Sequence, residues 1–146
     1  MKNKTELLEK LCHEIPQKLN NINGIDINFN ESPEKWSKKE IIGHLIDSAT
    51  INHHRFVRGQ FEDVPTIRYD QNKWNEMNHY QEMNSDQIIS FWKIYNLQIL
   101  ELIKLISKEN LSKKVKVGED NIQTIEFLFK DYVDHMEHHL KQIIEL

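Results

Sequence analysis

The chain has little of what would tie it together covalently or break it into pieces: one cysteine, three prolines and four glycines in 146 residues. A single thiol, Cys12, rules out an internal disulfide and suits a reducing cytoplasm. Its neighbours Leu7, Leu8, Leu11 and Ile15 point to a buried thiol rather than a nucleophile. There is no excess of positive charge. Lys+Arg is 19 against 23 Asp+Glu, a formal charge of −4, which argues against a nucleic-acid partner or an anionic membrane surface. The pairs Lys38-Lys39 and Lys113-Lys114 are short and read as solvated faces. No apolar run approaches the roughly 20 residues that a membrane-spanning helix needs. Met1 to Lys10 is charged and lacks the apolar stretch of a signal peptide, so a soluble, cytoplasmic protein is expected. The length is that of one domain, residues 1–146, with enough chain to bury a core unaided.

The scarce glycines and prolines punctuate. Gly24, Pro33, Pro65 and Gly118 fall in polar stretches and leave four long segments with helical periodicity. The first runs roughly from Lys4 to Asn20, with Leu7, Leu8, Leu11, Ile15 and Leu19 on one side and Pro16 expected to kink or interrupt it. The second begins at Ser37, which forms an S-x-x-E capping box with Glu40, and carries an apolar face to about Gly59. The third opens with Ser85 as N-cap and runs to Ile106. The fourth starts near Thr124 and continues to the C-terminus. The link from Glu62 to Asn84 is too long for a simple turn and has room for a short helix around Asn72–Asn78. Lys114 to Gly118 alternates weakly and predicts a small hairpin. The pattern is that of an all-α four-helix bundle.

What the chain has in plenty is histidine, eight in all. On a wheel of the last helix, Leu128, Phe129, Tyr132, Val133, Met136, Leu140 and Ile143 fill one arc. His139 lies inside it and His135 at its edge, while His138 falls on the polar side with Glu137 and Lys141. Two histidines at i,i+4 stand one above the other and can reach one ion; they can also be polar edges of a core helix. In the second helix a stripe of His44, Ser48, Asn52 and Arg55 flanks the apolar arc, either as a solvated face or as a cavity wall. Gly43 predicts close approach of another backbone beside His44. Asp47, one turn on, either orients a ligand or sits in water. His53 and His54 read as structural or exposed, and His13 and His79 show no partner pattern.

The segment Lys35-Trp36-Ser37-Lys38-Lys39-Glu40-Ile41-Ile42-Gly43-His44-Leu45-Ile46-Asp47-Ser48-Ala49 resembles the first metal-ligand helix of the DinB/YfiT-like family. Asp131-Tyr132-Val133-Asp134-His135-Met136-Glu137-His138-His139-Leu140-Lys141-Gln142-Ile143 resembles its closing H-x-x-H-H motif, and Tyr69-Asp70-Gln71-Asn72-Lys73-Trp74 a loop of some members. The resemblance covers nearly the whole chain in order and spacing. Leu140-Lys141 departs from it, standing where many relatives carry arginine-glycine. The resemblance implies an up-down-down-up four-helix bundle, often a homodimer, with one divalent transition metal on His44, His135 and His139. Zinc or nickel is the first expectation, then iron or manganese. It further implies a metal-dependent hydrolase or thiol S-transferase acting on a small molecule, with a low-molecular-weight thiol as one candidate; a non-catalytic metal-binding or stress-linked binding protein is the alternative. Asp47, Asn52, Arg55, His138, Tyr69 and Trp74 are the candidates for supporting or pocket roles.

Overall fold

A computed structural model describes residues 1–146. Four long helices form the bundle: α1 (Lys2–Asn20), α3 (Lys38–Arg58), α5 (Ser85–Leu105) and α7 (Ile125–Lys141). Short helices α2 (Gly24–Asn28), α4 (Gln71–Asn78) and α6 (Lys108–Leu111) sit in the links. A hairpin of β1 (Lys114–Gly118) and β2 (Asn121–Thr124) precedes α7. No helix is long and apolar enough to cross a membrane.

Three of the four long helices, α3, α5 and α7, start where a side chain satisfies an orphan amide. Ser37 and Glu40 make the complete capping box of α3, and the Thr124 hydroxyl accepts from Phe127 N–H at the start of α7. α5 is capped by Asn84, whose side chain accepts from Gln87 N–H. The expected cap, Ser85, is instead the first helical residue, because asparagine one position earlier caps as well as serine. The last helix ends at Lys141, short of the C-terminus expected for it. Pro16 neither kinks α1 into two elements nor interrupts it. An internal proline costs about 3 kcal/mol, but Ile15 and Leu19 are both 1% exposed in the core and hold the helix on either side of it.

Around the bundle, α1 packs on α5 and α7, and α3 packs on the same two. The successive helices α1 and α3 are therefore diagonal, as are α5 and α7. This is the up-down-down-up four-helix bundle. Its neighbours α3 and α5 run in the same direction, and a parallel pair needs a link that travels back along the bundle. Residues 59–84 are that link. It carries α4, pairs Thr66 with Lys116 of the hairpin, and turns through His79 at φ 54° into a 3-10 turn at Tyr80–Glu82. Across the core the Tyr132 hydroxyl donates to Asn96 Oδ1 at 2.5 Å, a buried polar tie between the diagonal helices α5 and α7.

Candidate metal centre

Two helices bring three histidines to one point. His44 comes from the first half of α3 and is 1% exposed; His135 and His139 come from successive turns of α7 and are half-buried. His44 Nε2 lies 3.4 Å from His135 Nε2, and His135 Nε2 lies 3.1 Å from His139 Nε2. The three ligand atoms are all within 4.8 Å of one another. An ion with tetrahedral bonds of 2.0–2.1 Å separates its nitrogens by roughly 3.3 Å, so the two closest spacings match.

The electrostatics favour uncharged rings. Burial, and then the neighbouring histidines, push the His44 imidazole down to about 3. The same causes push His135 down to about 4. His139 has its tautomer set by Gln142, whose Oε1 accepts from Nδ1 at 2.9 Å, which leaves the Nε2 lone pair facing the cluster. Three imidazoles with converging ring nitrogens are a donor set for a transition-metal cation and are poorly satisfied by one another, since each shared proton serves only one pair.

Each histidine is placed by packing that the sequence only partly announced. Trp36 lies against the His44 ring with centroids 4.8 Å apart. A Cβ on Gly43 would stand 2.2 Å from the Tyr80 ring, so glycine there lets Tyr80 pack against the α3 backbone beside His44. The close neighbour anticipated at Gly43 is thus a side chain rather than a backbone. The contributions of Trp36, Tyr80 and Gln142 were missed from sequence. A glycine inside a helix, and a glutamine three residues after a histidine, were the available signals.

The other candidates do not meet at the cluster. His138 is exposed and stands edge to face beside His139, centroids 5.4 Å apart, but offers no nitrogen to the cluster. Asp47 Oδ1 accepts from the Tyr80 hydroxyl at 2.5 Å and the Asn78 amide at 2.9 Å. Asn52 donates to the Ser48 carbonyl, and Arg55 to the Ile67 carbonyl and to Asn52 Oδ1. Tyr69 and Trp74 touch edge to face at 6.0 Å. His53 Nδ1 pairs with the Tyr95 hydroxyl at 3.0 Å, well away from the three. On the outer side, His139 lines a cavity of about 700 Å³ with Trp36, Ile41, Gln71, Asn72 and Gln142 among its walls.

No family model matches the chain. Among curated proteins it is 24% identical over 113 residues to a Bacillus subtilis (strain 168) protein, YfiT, provisionally named a metal-dependent hydrolase. That match covers 76% of this chain and 64% of the relative, slightly less than two thirds of the relative's length. Among solved structures, YfiT from Bacillus subtilis superposes with a TM-score of 0.88 at 19% identity, over 97% of this chain and 82% of that one. YfiT is described as having an unusual four-helix bundle topology. A mycothiol-dependent maleylpyruvate isomerase superposes with a TM-score of 0.78 at 8% identity, over 99% and 61% of the two chains. Fold and histidine cluster together define a four-helix bundle with a candidate three-histidine centre. The chain is similar to YfiT in sequence over 113 residues and shares its four-helix bundle fold.

Proposed function

We propose that this chain binds one divalent transition metal through His44, His135 and His139 and works as a metal-dependent enzyme on a small molecule. The observation that carries the reading is the convergence of three ring nitrogens, two pairs of them at 3.1 and 3.4 Å. Three protein ligands leave coordination positions open, as catalytic centres do and closed structural sites do not. A bound ion supplies Lewis acidity that makes water or a thiol nucleophilic near neutral pH. The chain's own part is to hold the rings. Trp36 packs on His44, Gln142 orients His139, and the cavity beside His139 admits the substrate.

Hydrolysis is the first assignment, on the name of the Bacillus relative. Thiol transfer is the second, on the mycothiol dependence named for the structural neighbour, and it would bring a low-molecular-weight thiol to the same cavity. Zinc and nickel suit an all-imidazole donor set. A cytoplasmic homodimer completes the proposal, with Ile94, 65% exposed on α5, as a candidate for the contact. Elemental analysis of untagged protein tests the metal. Loaded protein is then screened with ester and amide substrates and with thiols plus electrophiles. Stoichiometric metal with turnover in either screen supports the reading; failure to retain any divalent metal overturns it.

A further inference from the structure

We propose that the cleft between α3, α4 and α5 is a second small-molecule site, which takes an organic ammonium ion with an apolar body and uses Asp47 as counter-ion. The cleft has a volume of about 530 Å³ and shares no wall residue with the cavity beside His139. It does not depend on the metal.

Asp47 is 1% exposed and forms part of the cleft wall. Asn78 and Tyr80, also in the wall, hold its Oδ1. Oδ2 is buried and has no partner at all. No lysine or arginine forms an ion pair with Asp47, and none lines the cleft. A buried carboxylate oxygen without a donor is costly, and the protein supplies neither the donor nor the charge that would offset it. Burial raises this carboxyl to about 6, which still leaves it mostly ionised at neutral pH. An incoming ammonium provides both missing parts, a hydrogen bond to Oδ2 and a compensating charge. An anion would add repulsion, and a neutral apolar molecule would leave the carboxylate as it was.

The walls select the rest of the ligand. Trp74, Met83 and Phe91 are 39, 42 and 50% exposed around the cleft, with Ile88 buried behind them. Aromatic faces attract a cation, and apolar walls with one charged group are the usual make-up of a small-molecule pocket. Asn78, half-buried at the last position of α4, lines the cleft and donates to Oδ1, so the ammonium approaches the carboxylate beside it.

The test is calorimetric titration of metal-free and metal-loaded protein with phenethylammonium chloride, and with 2-phenylethanol as its uncharged counterpart. Saturable binding of the amine in both forms, about tenfold or more tighter than the alcohol, is expected from one charge-assisted hydrogen bond. Asp47→Asn should bring the amine down to the alcohol's affinity. Gln87→Lys, on the exposed rim, should weaken the amine roughly fivefold by repulsion and leave the alcohol unchanged. That rim variant disturbs no core contact and decides the matter if Asp47→Asn fails to fold. Equal affinity for amine and alcohol, absence of saturable binding, or undiminished amine binding in a folded variant overturns the proposal. Because the metal-free arm needs no ion, loss of the metal reading would leave this result standing.

Discussion

The Tyr80 ring lies against the backbone at Gly43 so closely that a methyl group there would sit 2.2 Å from its Cδ2. Tyr80 cannot easily withdraw, because its hydroxyl donates to Asp47 and its side chain is 5% exposed. Gly43→Ala should therefore destabilise the protein by about 1–3 kcal/mol through overpacking. An unstrained helix interior would gain about 1 kcal/mol from the same change. Urea unfolding reads the sign directly, and a stabilised variant would contradict the packing.

Metal content should follow the three converging histidines and not their neighbour. Alanine at His44, His135 or His139 removes a ligand that a three-ligand site cannot spare, so occupancy should collapse. His138→Ala removes an exposed ring that lies beside His139 but outside the cluster, and should leave the metal content near that of the parent. Elemental analysis of the four variants, purified without a histidine tag, distinguishes these outcomes.

Gln142 deserves a variant of its own. Its carbonyl oxygen fixes the tautomer of His139, and groups that orient a ligating histidine typically change metal affinity about 10–100-fold when removed. Gln142→Leu should show that loss in a chelator competition while keeping the helical dichroism of the parent. Unchanged affinity would mean that packing alone orients the ring.

Acid should weaken the metal-free fold. His44 and His135 titrate near 3 and 4 in the folded chain against 6.5 when unfolded. Between those values the unfolded chain binds more protons, so stability is full above about 6.5 and declines as pH falls toward 4. Asp47, raised from 3.8 to about 6 by burial, acts in the opposite sense over part of that range, but it is one group against two. Urea midpoints measured from pH 7 to pH 4.5 should fall, and His44→Leu should flatten the slope. A flat profile in the parent would show that these rings are not held neutral.

Much of this was legible in one dimension. The capping box at Ser37, the threonine cap at Thr124 and the hairpin before α7 are local features, set by residues within a few positions of one another. A wheel sufficed to turn His135 and His139 inward and His138 outward, because an α-helix fixes those directions by its own period. The wheel left the direction of His44 open. Its stripe on α3 was compatible with a solvated face, and only the resemblance to the DinB/YfiT-like family singled it out. What periodicity cannot express is which helices touch. The pairing of α3 with α7 brings His44 within 3.4 Å of His135, 91 positions along the chain. The same limit hid the contact of Tyr80 with Asp47, which meet only because the long link folds back along α3. Local sequence determined the helices, their ends and the faces they present. Tertiary packing decided which faces meet, because distant side chains become neighbours only when burial brings their elements together, and in this protein the three-histidine cluster and the buried carboxylate of Asp47 both arise at those junctions.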